Sequence, residues 1–260
     1  MQIWLPRPKP ASHKGQNGVL LIIGGSKTYH GAPILSAIAA MRFCDLVYFH
    51  SIEENMEVAK RMKIATPNVI CVGKERLDFA FSHADCVLVG NGMDVGKKTA
   101  EVARRMLESG KKCVLDAAAL RVLDPQLLHP KAILTPHARE FESAFGKKAS
   151  QRAAEEMSEK YRCTILLKGK EDVLAWEGKS IRIAGGNAGM TKGGTGDVLA
   201  GLLSALYSHP SCPNPQRAAY TASLLNKRAA DMLYRVMKYN YSSEDLANEL
   251  PFAAWGLYKR

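Results

Sequence analysis

The sequence lacks the long apolar runs, signal segments and low-complexity stretches that would place it in a membrane, secreted or disordered class. No stretch of its 260 residues approaches the ~20 consecutive apolar residues that a membrane-spanning helix needs, so we expect no membrane partner. The first sixteen residues contain three prolines and no apolar core, which argues against a secretory signal. Because no Pro-, Ser- or Gly-rich linker and no internal repeat divides the chain, we predict one domain over residues 1–260.

The cysteine and histidine patterns exclude the common zinc sites and disulfide frameworks. The six cysteines include no C-x-x-C pair, and the seven histidines include no H-x-x-x-H or H-E-x-x-H pair, so we predict no protein-built metal site. Four cysteines lie in or beside apolar, strand-like runs, where buried thiols are usual. We therefore predict a reducing, cytoplasmic compartment. The four are Cys71, Cys86, Cys113 and Cys163.

The common phosphate-binding loops are also missing. No G-x-x-x-x-G-K-[ST] segment is present, and Gly24-Gly25-Ser26 after the first predicted strand does not fit G-x-G-x-x-G. The net charge of +11 nevertheless suggests an anionic partner. The basic residues are scattered, and the mixed Arg, Lys and Tyr segment 234–241 is typical of a solvated helix face. A phosphorylated small molecule explains this charge as well as nucleic acid does, and because the basic residues are scattered we expect no nucleic-acid partner.

Short apolar runs alternate with helical patterns along most of the chain. The runs show no polar alternation, which is typical of strands buried on both faces of a parallel sheet. The alternation predicts an α/β fold, with a mostly parallel central sheet covered by helices on both faces and an antiparallel edge hairpin. The predicted strands are Val19–Ile23, Leu46–Phe49, Val69–Val72, Cys86–Val89, Cys113–Leu115, Ala132–Leu134, Thr164–Leu167 and the hairpin Val173–Trp176 with Ser180–Ile183. The predicted helices are Ala32–Phe43, Lys97–Ser109, Ser150–Lys160, one from about Gly196, Pro215–Met237 and Ser243–Tyr258.

The most informative segment is the Gly-rich stretch at residues 185–201. It contains five glycines before residue 195 and another at Gly196, so its backbone can take unusual φ angles and approach a bulky ligand closely. A helix is predicted to begin within Thr195–Asp197, and its first unpaired amides would form an anion site. An acidic residue in a first turn also simply suits the helix dipole. Beside an anion site, however, Asp197 can act as a general base in phosphoryl transfer.

Short motifs follow one another along the chain in a recognisable order. They are Gly15–Tyr29 with Gly31-Ala32-Pro33, Val89-Gly90-Asn91-Gly92-Met93, Leu115-Asp116-Ala117, Thr135-Pro136-His137 with Glu140, Leu167-Lys168-Gly169 with Asp172, and Asn187–Gly201. The run Gly193-Gly194-Thr195-Gly196-Asp197 resembles the anion-hole signature of the ribokinase-like superfamily. From about residue 14 to about residue 208, the ordered set resembles the NAD(P)H-hydrate dehydratase family.

The resemblance implies a ribokinase-like three-layer sandwich and a hydro-lyase that repairs nicotinamide nucleotides. Members of the family dehydrate the S epimer of NADH or NADPH hydrate at the expense of ADP or ATP. The nucleotide is needed because hydroxide is a poor leaving group, whereas a phosphate ester departs more easily. The resemblance also implies Mg²⁺ and a homo-oligomer such as a tetramer. Because the first strand begins near Val19, we expect a separate epimerase rather than a fused one.

The resemblance also carries residue roles to this chain. Asp197 would deprotonate the ring hydroxyl, while the amides at the start of the helix stabilise the transferred phosphoryl group. The expected nucleotide-binding residues are Lys168, Gly169, Lys170, Glu171, Asp172, Gly194, Thr195 and Gly196. The expected substrate-binding residues are Ala32, Gly92, His137 and Asp197. From the residues alone, His137 is equally well explained as a helix cap, and Lys168 as a solvated charge that ends a strand.

The chain departs from the family's patterns in three places. In the segment that matches D-A-D-A-L-N, Ala118 replaces the second acidic residue and Arg121 replaces the asparagine. Residues 89–94 read V-G-N-G-M-D where the family usually has G-P-G-L-G, so we expect a differently shaped loop around the dinucleotide. Lys192 adds a cation within the Gly-rich loop, and we expect it to contribute to phosphate binding.

Two other classes of function compete with this interpretation. A small-molecule kinase of the same superfamily, such as hydroxyethylthiazole kinase, would use the same anion hole and the same base. The motifs Gly31-Ala32-Pro33 and Thr135-Pro136-His137 favour the dehydratase. A non-catalytic module that binds nucleotides or nucleic acid is suggested only by the net charge of +11.

Overall fold

Nine strands form one sheet in the computed structural model, which describes residues 1–62 and 67–258. The strands are β1 Val19–Ile23, β2 Leu46–His50, β3 Val69–Cys71, β4 Cys86–Val89, β5 Lys112–Leu115, β6 Ala132–Leu134, β7 Thr164–Leu167, β8 Asp172–Trp176 and β9 Lys179–Ile183. The helices are α1 Gly31–Ala40, α2 Glu53–Met62, α3 Leu77–His83, α4 Lys97–Glu108, α5 Ala118–Arg121, α6 Ala138–Phe145, α7 Gln151–Lys160, α8 Thr195–Ser208, α9 Pro215–Met237 and α10 Ser243–Tyr258.

The strand order places the loops after β1 and β4 side by side. The order is β3-β2-β1-β4-β5-β6-β7-β8-β9, with β1 to β7 parallel and the last two pairings antiparallel. The chain therefore builds the sheet outward from β1 in one direction and then in the other. In open α/β sheets, ligands bind at the carboxyl ends of the strands where this reversal occurs. The topology points to the loops after β1 and β4.

Two layers of helices bury the sheet between them. Along β1, Leu20 and Ile22 pack with α1, α8, α9 and α10, whereas Leu21 and Ile23 pack with α3 to α7 on the other face. Because neighbouring side chains of a strand point to opposite faces, both sets of positions are apolar. The predicted mostly parallel sheet covered by helices on both faces is confirmed. No helix in the described ranges is both long enough and apolar enough to span a membrane.

The predicted hairpin is present, with a tighter turn than expected. Glu177 and Gly178 have φ angles of 47° and 72°, and Trp176 pairs directly with Lys179. A two-residue loop with two positive φ angles is the turn that matches the twist of a hairpin. The strands accordingly begin earlier than predicted, at Asp172 and Lys179. The first predicted helix ends at Ala40 rather than Phe43.

Helices α1 and α8 cross at Ser36 and Gly201. A Cβ atom on Gly201 would lie 2.1 Å from the carbonyl oxygen of Ser36, so only glycine allows this approach. The Ser36 hydroxyl donates a hydrogen bond of 2.9 Å to the backbone oxygen of Asp197 in the first turn of α8. The contact therefore fixes the start of α8 against α1.

We predict that Gly201→Ala destabilises the protein by about 1–3 kcal/mol or more, because the added methyl group collides with the backbone of α1. Chemical denaturation measures the change in the free energy of unfolding. Gly31→Ala is the matched control, because no atom lies within 4 Å of its added methyl group, and we expect no loss of stability. Equal stability of Gly201→Ala and the wild type would contradict the close crossing.

Candidate active site

Five successive strand ends contribute residues to one cluster at the carboxyl edge of the sheet. The contributing segments are Gly24-Gly25 after β1, Asn91-Gly92 after β4, Asp116 after β5, Pro136-His137 after β6 and Lys168 after β7. A parallel bridge between His137 and Lys168, outside the named strands, extends the sheet at this edge. The first turn of α8 brings Asp197 to the same cluster.

Asp116 is the centre of a buried network. One of its oxygens accepts hydrogen bonds from Lys168 Nζ at 2.7 Å and Thr135 Oγ1 at 2.8 Å. The other accepts a bond from Asn91 Nδ2 at 2.9 Å. The carboxylate is almost completely buried, so these three donors replace the water that it would otherwise bind. Burial lowers the pKa of Lys168, but the attraction of Asp116 and Glu140 outweighs it and the pKa is raised overall, so Lys168 stays a cation.

Asp197 lies within this network and is partly buried. Asn91 Nδ2 also donates to Asp197 Oδ1, at 2.6 Å. Burial and the negative charge of Asp116 raise the pKa of Asp197 to about 6, although the bond from Asn91 and the charge of Lys168 act in the opposite direction. A carboxylate whose pKa approaches neutrality is a better proton acceptor than an exposed one. The structure thus gives Asp197 the environment of a general base.

The glycines of the Gly-rich loop are explained mostly by the chain's own packing. Gly185, Gly186 and Gly194 have φ angles of 110°, 75° and 95°, a region that side chains rarely adopt. A Cβ atom on Gly189 would lie 2.6 Å from the ring of Tyr241. Of this group, Gly193 alone faces open space. The expected unusual φ angles are therefore present, while close approach of this backbone to a bulky ligand stays a prediction.

The start of α8 is held by its own loop. The Thr195 hydroxyl donates to Met190 O at 2.7 Å, and its backbone N–H donates to Lys192 O at 3.4 Å. A Cβ atom on Gly196 would point toward Lys168 Nζ, 3.5 Å away. The helix begins at Thr195, within the predicted range. Binding of phosphate by the amides of Gly194, Thr195 and Gly196 stays a prediction, and Thr195 already shares its amide hydrogen with the loop.

Lys192 points away from the expected phosphate position. Its Nζ donates to the backbone oxygens of Tyr239 and Tyr241, and it lies over the ring of Tyr241. It therefore ties the Gly-rich loop to the connection between α9 and α10. The expectation that Lys192 adds a cation for the phosphates is not supported by this arrangement.

The turn after β7 separates the expected nucleotide-binding residues into two groups. Lys168 points into the acidic network, whereas Gly169, Lys170 and Glu171 are exposed. Asp172 is buried and accepts hydrogen bonds from Gly169 N at 3.0 Å and Ser223 Oγ at 2.7 Å. Asp172 thus anchors the turn, and the turn's contact with a nucleotide stays a prediction.

The expected substrate-binding residues lie on neighbouring segments. A Cβ atom on Gly92 would come within 3.1 Å of Ala32 Cβ, which places both residues at the junction of α1 and the loop after β4. His137 caps α6: its Nδ1 accepts from Glu140 N, and Glu140 Oε2 accepts from His137 N. The capping role is therefore confirmed. About half of the His137 side chain remains exposed and can contact a ligand.

A polar stripe on α9 was not predicted. Lys227 Nζ donates to Lys170 O at 3.2 Å and Gly185 O at 3.4 Å, and Asp231 accepts a hydrogen bond from Gly186 N at 3.0 Å. With Ser223, these side chains join the turn after β7 to the Gly-rich loop. Their spacing of four residues puts them on one face of the helix. In the sequence, the four-residue spacing of these polar residues among alanines was the pattern from which the stripe could have been predicted.

The described residues do not fit a protein-built magnesium site. No group of three or more His, Cys, Asp or Glu side chains within them is arranged to hold a metal ion. Both oxygens of Asp116 are engaged by donors from Lys168, Thr135 and Asn91. An Mg²⁺ ion bound mainly through nucleotide phosphates and water would not need such a site.

Comparison with known proteins decides the family. A model described as NAD(P)H-hydrate dehydratase matches residues 20–252. The chain belongs to the NAD(P)H-hydrate dehydratase family. The predicted resemblance is thereby confirmed over most of the chain.

Curated relatives agree with this family. The bifunctional NAD(P)H-hydrate repair enzyme Nnr of Methanocaldococcus jannaschii is 35% identical over 254 residues, which cover 92% of this chain and 48% of that protein. This chain spans about half the length of two such bifunctional dehydratase relatives. The ADP-dependent (S)-NAD(P)H-hydrate dehydratase of Nitrosopumilus maritimus is 32% identical over 269 residues, covering 95% of this chain and 92% of that protein.

Solved structures confirm the fold. The chain is similar to the ADP/ATP-dependent NAD(P)H-hydrate dehydratase of Bacillus subtilis co-crystallized with ATP/Mg²⁺, with a TM-score of 0.84 and 24% identity. The match covers 98% of this chain and 94% of that one. The ribokinase-like three-layer fold predicted for this dehydratase family member is confirmed.

We predict that Lys168→Met destabilises the protein by about 3–5 kcal/mol, because it leaves the buried Asp116 carboxylate without its cation. Lys147→Met is the matched control, since its pair with Glu156 is exposed to solvent and we expect no measurable loss of stability. Urea denaturation near pH 7.5 measures both. Equal losses in the two variants would contradict the burial of the Asp116 network.

Proposed function

We propose that this chain is a nucleotide-dependent hydro-lyase that dehydrates the S epimer of NADH or NADPH hydrate to NADH or NADPH. Family membership supports this activity over that of a kinase which releases a phosphorylated product. The observation that carries the proposal is the position of Asp197, a half-buried carboxylate of raised pKa at the start of α8. In this proposal residues 1–260 act as one domain.

The first chemical step is transfer of a phosphoryl group to the ring hydroxyl of the hydrate. Asp197 takes the hydroxyl proton as the hydroxyl oxygen forms a bond to the terminal phosphorus of the nucleotide, and the bond from that phosphorus to the nucleotide breaks. The N-terminal end of α8 favours the negative charge that develops on the phosphoryl oxygens. Lys168, close to Gly196, adds a fixed positive charge to the same region.

The second step is elimination of phosphate from the ring. The ring nitrogen's electron pair assists cleavage of the bond between carbon and oxygen, and phosphate leaves with that bond's electrons. Loss of a proton from the neighbouring carbon then restores the dihydronicotinamide double bond. In this scheme, Ala32, Gly92 and His137 hold the dinucleotide so that its hydroxyl faces Asp197.

The site is proposed to bind the phosphoryl-donor nucleotide together with Mg²⁺. We propose that Lys168, Gly169, Lys170, Glu171, Asp172, Gly194, Thr195 and Gly196 form the nucleotide side of the site. ADP is supported as the phosphoryl donor by the name of the relative from Nitrosopumilus maritimus, and ATP with Mg²⁺ by the co-crystals of the Bacillus subtilis protein. Mg²⁺ supplies neutralisation of the phosphate charge when it is bound.

The cellular setting also belongs to the proposal. We propose a separate NAD(P)H-hydrate epimerase that acts in the same pathway, and the bifunctional repair enzymes among the relatives support a second repair activity there. A cytoplasmic location is supported by the absence of C-x-x-C spacing from the sequence and by the burial of Cys86, Cys113 and Cys163 in the core. A homo-oligomer such as a tetramer, no nucleic-acid partner and no membrane partner complete the proposal.

Incubation with NADH hydrate, Mg²⁺ and either ADP or ATP tests the reaction directly. We expect recovery of the reduced-nicotinamide absorbance together with release of phosphate, both dependent on the nucleotide. Phosphorylation of a small alcohol without recovery of that absorbance would instead identify the chain as a kinase of the hydroxyethylthiazole type. Tight, strongly salt-dependent binding of RNA without any turnover would support the nucleic-acid alternative.

We predict that Asp197→Asn lowers kcat by at least ~10²-fold while nucleotide binding is retained, because an amide keeps the shape of the carboxylate but cannot accept the proton. The variant should be at least as stable as the wild type at pH 7. A raised folded-state pKa means that ionising Asp197 costs stability as the pH rises from its unfolded value of 3.8 to about 6, and asparagine does not ionise. Wild-type turnover in this variant would contradict its role as the base.

We also predict an acid limb in the pH dependence of kcat, with its midpoint near pH 6. The base works in its ionised form, so the rate falls as the pH drops through the raised pKa of Asp197. Steady-state rates between pH 5 and 8, with the nucleotide saturating, give this midpoint. A rate that stays constant down to pH 5, as the ordinary aspartate pKa of 3.8 would give, would contradict the buried environment of the base.

A further inference from the structure

We propose that Asn91 is a positioning residue for the base, tying the Asp197 carboxylate to the Asp116 carboxylate through a single side-chain nitrogen. The proposal rests on the function proposed for Asp197. It concerns a departure from the family pattern, because Asn91 stands where the usual G-P-G-L-G run has proline. Proline has no side-chain amide, so this chain supplies a contact that the family pattern does not.

The geometry lets one nitrogen serve both carboxylates. Asn91 Nδ2 lies 2.9 Å from Asp116 Oδ2 and 2.6 Å from Asp197 Oδ1, both hydrogen-bonding distances. A primary amide nitrogen carries two hydrogens, so both bonds can form at once. The two acids come from different parts of the chain, one after β5 and the other on α8. The amide therefore fixes the position of the helix carboxylate relative to the sheet.

The side-chain oxygen of Asn91 shows that this arrangement costs stability. Asn91 is fully buried, and its Oδ1 has no hydrogen-bond partner within the part of the chain that the structure describes. Rotating the amide would aim that oxygen at two carboxylates, which can only accept hydrogen bonds when ionised. An apolar side chain of similar size would avoid the unsatisfied oxygen. The arrangement is therefore better explained by the two carboxylate contacts than by packing.

The backbone around Asn91 is fixed in advance. Gly25 N donates to Asn91 O at 2.8 Å, and Met93 N donates to Gly90 O at 3.1 Å. Gly90 has a φ angle of 119°, and a Cβ atom there would lie 1.9 Å from Asp116 O. The turn thus presses directly against the loop of Asp116. Because the backbone of this turn is fixed, the Asn91 side chain loses little conformational entropy when it contacts both carboxylates.

The charges around Asp197 explain how the hydrogen bond from Asn91 affects the pKa of this carboxylate. Asp116 and Glu140 repel a negative charge on Asp197, and Lys168 attracts it. Burial also favours the neutral acid, while the hydrogen bond from Asn91 favours the ionised form. Without Asn91, burial and the two acids would oppose Lys168 alone, so the base would take up a proton at higher pH.

Rates measured as a function of pH test this role. In Asn91→Leu, we expect the acid limb of kcat to move up by at least ~1 pH unit, which is a tenfold loss below the midpoint with substantial recovery at pH 8.5. KM for the hydrate should change little, since Asn91 is buried beneath the site. An acid limb that stays in place would overturn the proposal, whether or not the rate falls.

Two further variants keep the test sharp. Asn91→Ser is smaller and serves if Asn91→Leu does not fold, with the same shift expected. Thr135→Val removes a donor to Asp116 that does not contact Asp197, and we expect it to move the acid limb by less than half as much. Equal shifts in Thr135→Val and Asn91→Ser would assign the effect to the network as a whole and overturn a specific role for Asn91.

A titration that needs no turnover separates this proposal from the proposed function. Carboxyl carbon-13 NMR, with Asp197→Asn used for assignment, gives the pKa of Asp197 in the wild type and in Asn91→Ser. A higher pKa of Asp197 in the variant supports the positioning role of Asn91, even if the wild type fails to dehydrate the hydrate. That failure would contradict only the proposed function. Equal pKa values of Asp197 in the two proteins would overturn the positioning role of Asn91.

Discussion

Two neighbouring carboxylates at the edge of a parallel sheet, one buried and one half-buried, are the constraint on which this site depends. Asp116 and Asp197 share one amide donor, so their charges repel across a short distance in a region with little water. The cation of Lys168, 2.7 Å from Asp116, offsets part of that repulsion. Burial, together with the part of this repulsion that Lys168 does not offset, raises the pKa of Asp197 to about 6. The same interaction that costs stability therefore produces a base matched to neutral pH.

The fold supports this arrangement from both sides. The close crossing of α1 and α8 at Gly201 sets the direction of the helix that carries Asp197. Lys227 and Asp231 on α9 form hydrogen bonds with the turn after β7 and with the Gly-rich loop, and so fix the positions of these two segments relative to each other. The loop's glycines mainly satisfy this packing, so the proposed anion site at the start of α8 is bordered by residues that the chain's own contacts hold in place. Such preorganisation is what electrostatic catalysis requires.

The sequence was sufficient to predict the fold and to select Asp197 as the proposed base, and insufficient to predict the contacts between distant segments. Apolar runs predicted every strand within about two residues, because strands buried on both faces must be apolar. The roles of Asn91 and Lys192 depend on residues far away in the chain, 106 positions away for Asn91 and Asp197. No local pattern reports such partners. Asn91 was visible only as a departure from a family pattern, and no local pattern indicated that Lys192 donates to the backbone oxygens of Tyr239 and Tyr241.

The fate of the hydroxyl oxygen tests the central claim most directly. If the carboxylate and the end of α8 carry a phosphoryl group onto the ring hydroxyl, that oxygen leaves the ring as part of phosphate. NADH hydrate prepared with oxygen-18 in its ring hydroxyl should therefore give inorganic phosphate that carries the label, detectable by phosphorus-31 NMR or mass spectrometry. Label recovered in water, with unlabelled phosphate, would contradict phosphorylation of the hydroxyl and the role assigned to this site.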